Sequence, residues 1–264
     1  MKQRVLAKDG KNFDLHVWFP DTACNKAIIL SHGMAEHIER YDSFAKACNK
    51  QGIAVFGANH RGHGPNAERL GHFADINGWQ LVLDDLDSVI DFVNEEYEVK
   101  PVLLGHSMGS FAARHYAVQN GTKLSALVLC GSNHQGVLMF RLGLIAAKLV
   151  KVFTGGSTPS PFLEKLSFGN YNSKIKPLRT EQDWLCRDES IVDAYIADPY
   201  CGFTPTPQFW IDLLQGLTDM SSAEAFARIP ADLPIMIISG DSDPVNNYGK
   251  GITALENALR EGGV

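Results

Sequence analysis

The chain has 264 residues, 45% hydrophobic and 20% charged, with a formal net charge of −6. That length holds one large α/β domain, with or without an inserted subdomain, as readily as two domains. The acidic balance and the absence of a basic cluster argue against nucleic acid as a partner, and five scattered cysteines without C-x-x-C spacing argue against structural zinc and a disulfide framework.

The N-terminus has no apolar core and does not read as a signal peptide, which points to a cytoplasmic protein. Residues 2–8 and 12–19 alternate around Asp9-Gly10, a hairpin signal. Ala27 to Leu30 is a short apolar strand leading into Ser31-His-Gly-Met-Ala-Glu-His37. Phe44, Ala47 and Cys48 recur at helical spacing before Gly52, and Ile53 to Phe56 reads as the next strand. Asn59 to Pro65 is a loop rich in turn formers. Trp79 to Val93 predicts an amphipathic helix, with Leu83, Leu86, Ile90 and Val93 on one face and Asp84, Asp87 and Asp91 toward water.

Pro101 to Leu104 predicts a buried strand and Ser110 to Val118 a helix. Between them Gly105-His-Ser-Met-Gly109 fits G-x-S-x-G. A chain that turns from strand to helix this tightly strains the serine backbone and needs small residues two positions either side. Ser107 is therefore the expected nucleophile, set at a helix N-terminus where developing negative charge is favoured. Leu124 to Cys130 and Ile235 to Ser239 read as further core strands, so the alternation from residue 27 onward means a largely parallel, doubly wound α/β sheet. Residues 134–230 break that rhythm and read as a cap inserted into a core of residues 1–133 and 231–264. Within the cap, Val137, Leu138, Leu142, Ile145 and Leu149 form an apolar helical face that lines an acyl pocket, touches a lipid surface or packs on the core.

Acyl transfer needs a nucleophile, a base, an orienting carboxylate and donors for the oxyanion. The amides of Met34 and Met108 are the expected oxyanion donors; the bland alternative is that Gly33 only turns the chain and Met34 fills a core gap. Asp241 and Asp243 compete to orient the base. On His32-Gly-Met-Ala-Glu-His37 with Arg40-Tyr41, Asn59-His-Arg-Gly-His-Gly64, the Gly105–Gly109 elbow and Gly240-Asp-Ser-Asp-Pro-Val245, nearly the whole chain resembles the α/β-hydrolase superfamily. Its resemblance is to the monoacylglycerol lipase and lysophospholipase-like branch, which includes serine aminopeptidase relatives. That resemblance implies Asp243 as the triad acid. It also implies a histidine after Asp243, and none follows. A last strand, a His-bearing loop and a closing helix, about 25–45 residues, are expected beyond Val264, and a sheet without them should leave Ile235 to Ser239 with an open edge.

His37 and His106 are the candidate substrate contacts, although His106 and His32 also read as structural. His60 and His63 are expected to brace the site, and His134 is the one in-chain candidate for a substitute base. The resulting expectation is a serine hydrolase that cleaves esters of one acyl chain, monoacylglycerol or lysophospholipid, without metal or organic cofactor, with transient membrane-surface contact through the cap. The rivals are a proline-type aminopeptidase, which would use acids such as Glu181, Asp183, Asp188 and Glu189, and a non-catalytic binding protein.

Overall fold

The computed structural model describes residues 1–264 and centres on one seven-stranded sheet. Its strands are β1 (Lys2–Leu6), β2 (Asn12–Trp18), β3 (Ala27–Ser31), β4 (Ala54–Ala58), β5 (Val102–His106), β6 (Ala126–Cys130) and β7 (Ile235–Ile238). They lie in the order β1-β2-β4-β3-β5-β6-β7. β1 and β2 form an antiparallel hairpin and β2 runs antiparallel to β4; from β4 to β7 every pairing is parallel. The hairpin turns through Gly10, at φ 84°, a conformation that favours glycine. The parallel strands are short apolar runs because helices cover both faces.

Helices α1 (Asp42–Asn49), α2 (Gly78–Tyr97), α3 (Met108–Asn120) and α9 (Lys250–Glu261) alternate with the strands, while α4 (Val137–Thr154), α5 (Pro161–Phe168), α6 (Glu189–Ala197), α7 (Pro207–Asp219) and α8 (Ala223–Phe226) all lie between β6 and β7. The doubly wound reading holds. Not all of this stretch between β6 and β7 is remote from the centre: Phe209, Trp210, Leu213 and Leu217 of α7 join the main core with Trp79, Leu83 and Leu86 of α2.

Two local expectations fail for reasons that local periodicity does not carry. Asp87, placed toward water by the α2 pattern, is 4% exposed. Lys123 donates to it at 2.7 Å, Tyr116 Oη at 2.7 Å, and Lys8 also pairs with it. Burial opposes its charge, and the bonds from Lys123, Lys8 and Tyr116 nonetheless hold its carboxyl below the usual range. In α1 the small Ala45 is buried with Leu30, Ile38 and Val55, leaving Phe44 39% exposed. In α4 the buried residues are Leu144 and Ala147, whereas Leu138, Leu142, Ile145 and Leu149 lie 54–69% exposed. α4 rests on α7, so of the three alternatives for this face packing on the core is the one its exposure speaks against. At the far edge of the sheet, Met236 and Ile238 of β7 are 58% and 43% exposed.

Candidate active site

The sharpest feature is the junction of β5 and α3. Ser107 has φ 51° and ψ −119°, which a residue with a side chain adopts only under strain. The surroundings fix that conformation. A Cβ on Gly105 would fall 2.3 Å from the Gly109 carbonyl oxygen, and one on Gly109 would fall 2.0 Å from the Ser31 oxygen. Only glycine at both positions lets α3 close on β5 and lie against the end of β3. The Ser107 amide donates to Cys130 O at 2.8 Å, and its carbonyl accepts from Ser110 Oγ at 2.6 Å. These bonds pin the backbone at both ends.

Met108 is 1% exposed and opens α3, so its amide is one of the helix-end donors without an intrahelical acceptor. Met34 follows β3 in a turn that Ala35 completes at φ 53°. Its neighbour Gly33 is held by Glu36, whose Oε1 accepts the Gly33 amide at 2.6 Å. A Cβ on Gly33 would meet that carboxylate at 2.7 Å.

Glu36, quoted within the sequence motif but assigned no role, is the hub of this corner. It is 3% exposed. Besides the Gly33 amide it accepts from Tyr41 Oη at 2.8 Å, contacts His106 Nδ1 at 3.0 Å and pairs with Arg40. Burial alone would raise its pKa; His106 and Arg40 hold it far below the ordinary value instead. The same pairing raises His106 against the effect of burial. A carboxylate reaching back three residues to a backbone amide is the logic of a capping box, and that spacing was the available signal.

His106 thus spends Nδ1 on Glu36 and Tyr41. The other edge of its ring faces Gly131: a Cβ there would lie 3.6 Å from His106 Nε2 and 3.8 Å from Asp243 Oδ2. The elbow and Asp243 therefore meet around one point. Asp243 Oδ1 accepts the Val245 amide at 2.8 Å, and Oδ2 accepts from Ser239 Oγ and Asn246 Nδ2, each at 3.2 Å. Asp241 sits on the surface, 85% exposed and paired with Arg187.

The remaining histidines divide by burial. His32 contacts the Gly33 oxygen through Nδ1 at 2.8 Å and accepts the His60 amide at Nε2; His60 in turn contacts Ser31 Oγ at 2.9 Å. Burial lowers His32 to about 4 and His63 to about 3, so this tier is neutral. His37 lies between Glu39, at 2.8 Å from Nδ1, and Asp198, at 2.8 Å from Nε2. The adjacent Cys201 thiol, then Glu39 and Asp198, raise it to about 10 despite burial. His134 stacks edgewise on Phe226 at 5.2 Å and burial lowers it to about 4. The hydrogen bonds of Asp243 come from Ser239, Val245 and Asn246, and none comes from a histidine.

Comparison with known proteins identifies the family and the fold. Residues 22–262 match the family described as serine aminopeptidase, S33. A monoacylglycerol lipase of Mycolicibacterium smegmatis is 29% identical over 231 residues, 86% of this chain and 73% of its own. The monoglyceride lipase of Rattus norvegicus is 28% identical over 246 residues, 90% of this chain and 72% of its own. A thermostable carboxyl esterase from Bacillus coagulans, solved with glycerol, superposes at a TM-score of 0.91 with 28% identity, covering 100% of this chain and 86% of that one. With 241 consecutive positions matched and a sheet of this topology, the chain belongs to the serine aminopeptidase, S33 family of hydrolases on the α/β-hydrolase fold.

Proposed function

We propose that the chain, a carboxylic ester hydrolase, cleaves esters of a single acyl chain, monoacylglycerol or lysophospholipid, through an acyl-enzyme on Ser107. The observation that carries this is the strained, positive-φ Ser107 backbone at the start of α3, locked by Gly105 and Gly109. In this reading Ser107 Oγ adds to the ester carbonyl as a general base takes its proton, and the carbonyl oxygen gains negative charge. The amides of Met34 and Met108 accept that charge, in a setting where preorganised donors need no reorganisation. Collapse of the tetrahedral species expels the alcohol and leaves the acyl group on Ser107; water then repeats the cycle. Asp243 is the carboxylate that orients the base, and its fixed hydrogen bonds suit that task.

Residues 134–230 act as the cap over a core of residues 1–133 and 231–264. The exposed apolar stripe of α4 supports contact with a lipid surface while the substrate is extracted. No helix is long and apolar enough to cross a membrane. An aminopeptidase reading needs cap acids turned to a substrate amine. Instead Asp183 accepts from Thr180 and Arg179, and Asp188 caps α6 through Ser190. Relatives named for monoacylglycerol hydrolysis favour the ester.

A fluorophosphonate probe tests the core of the reading. It should label the protein at Ser107 and leave Ser107→Ala unlabelled. Equal labelling of the variant would remove Ser107 as the nucleophile.

A further inference from the structure

We propose that His37, Asp198 and Cys201 form a binding site for a thiophilic divalent cation of the zinc class. The ligand atoms, one imidazole nitrogen, one carboxylate oxygen and one sulfur, lie within 4.8 Å of one another. In a tetrahedral zinc site, bonds of about 2.0 to 2.3 Å separate neighbouring ligand atoms by roughly 3.3 to 3.7 Å. Closing onto a metal therefore takes shifts of about an ångström, within reach of side-chain rotation. His37 Nε2 and Asp198 Oδ2, at 2.8 Å, move slightly apart to admit it.

The outer shell is already built. His37 presents Nδ1 to Glu39 Oε2 at 2.8 Å, the carboxylate–histidine pairing that orients metal-binding imidazoles and raises their basicity. Asp198 Oδ1 accepts the Tyr200 amide at 2.8 Å, and the Cys201 amide donates to Asp198 O at 3.1 Å. That turn holds Oδ2 and the thiol on the same side. His37 is buried, while Asp198 remains 26% exposed, which leaves a side for a fourth ligand from water.

A metal takes such ligands as thiolate and as neutral imidazole, so binding is coupled to proton release. One thiolate and one imidazole select zinc, cobalt or copper over magnesium and calcium. Sequence spacing hid the set, because His37 and Asp198 stand 161 positions apart. An ion here would tie the turn after β3 to the loop before α7, beside Ala35.

Cobalt(II) is the probe, added to the full protein held reduced with a non-chelating phosphine. The expected result is one equivalent bound, with a thiolate-to-cobalt charge-transfer band and d–d intensity typical of four-coordination. Zinc should bleach both. Cys201→Ser should abolish the charge-transfer band, Glu39→Gln should weaken zinc binding by about 10- to 100-fold, and Cys186→Ser should change neither. Circular dichroism confirms that the variants fold. No binding, a band that survives Cys201→Ser, or octahedral cobalt spectra without a thiolate band would each overturn the site.

Discussion

The phenol of Tyr195, on α6, donates a 2.9 Å hydrogen bond to the carbonyl oxygen of Ala35. The Gly202 amide donates to the same oxygen at 2.9 Å. Ala35 follows Met34 and sits at φ 53°, so two bonds from the inserted segment hold the strained residue beside the proposed oxyanion donor. Arg40, which pairs with Glu36, lies 5.0 Å over the Tyr195 ring. One corner of the segment between β6 and β7 thus grips the turn that carries the proposed oxyanion donor.

Tyr195→Phe keeps the ring and removes one of those bonds. We expect kcat on a soluble p-nitrophenyl ester to fall by roughly three- to tenfold, about 1 kcal/mol of transition-state stabilisation, with KM little changed. Unchanged kcat would mean that Gly202 alone suffices.

The two aspartates after β7 separate cleanly. Asp243 is fixed by three hydrogen bonds next to the elbow, whereas Asp241 is a surface residue paired with Arg187. In enzyme that carries the base Asp243 is proposed to orient, Asp243→Asn should cut turnover by on the order of 10⁴, the loss seen when a triad carboxylate no longer holds its histidine in the reactive tautomer. Asp241→Asn should cost less than about twofold, since an exposed ion pair contributes little. The opposite ranking, in folded protein, would reassign the acid.

A pH effect on stability is expected from α7. Asp212 is 7% exposed; Oδ1 accepts from Gln208 at 2.9 Å and Oδ2 has no partner. Burial raises its pKa from 3.8 to about 6. A carboxyl raised by folding binds its proton more tightly in the native state, so its contribution is fully present below 3.8 and is lost as pH rises through about 6. The swing is on the order of 3 kcal/mol at most. Asp212→Asn should flatten urea-midpoint profiles across that window and exceed the native protein in stability at neutral pH. A profile as steep as the native one would exclude Asp212 as the source.

What the sequence discloses depends on how local the cause is. The elbow is legible because strand, glycines, serine and helix are contiguous; the steric reason for Gly105 acts within five residues, at Gly109, while that for Gly109 lies at the distant Ser31. Glu36 is legible in part, as an acid three residues beyond Gly33 and four before Arg40, but its partner His106 needs the fold. Asp87 was not: an i, i+4 pattern places it outward and gives no sign of Lys8 and Lys123 reaching across. For α4, apolar residues occupy more than one stripe, and only the seat on α7 decides that Leu144 and Ala147 are covered. The His37–Asp198–Cys201 cluster had no local trace at all.

The exposed stripe leads to the last expectation. Leu138, Leu142, Ile145 and Leu149 recur at steps of four, three and four, so they lie along one face of α4, and each is more than half exposed. Lys148, next to Leu149 in sequence, suits anionic headgroups, whereas Lys151 donates to Gln208 of α7. If that face seats on lipid, removing two of its anchors should act on interfacial substrate alone. Burying a leucine or isoleucine is worth about 1.5 kcal/mol or more, so Leu142→Glu with Ile145→Glu loses roughly 3 kcal/mol of partitioning, about 100-fold. We expect hydrolysis of monoacylglycerol in anionic vesicles to fall by that order relative to a short soluble ester, with sedimentation on vesicles falling in parallel. Unchanged vesicle binding would leave the stripe without a lipid role. An equal loss on both substrates would place these side chains against the acyl chain or in the scaffold, and the membrane reading of α4 would fail.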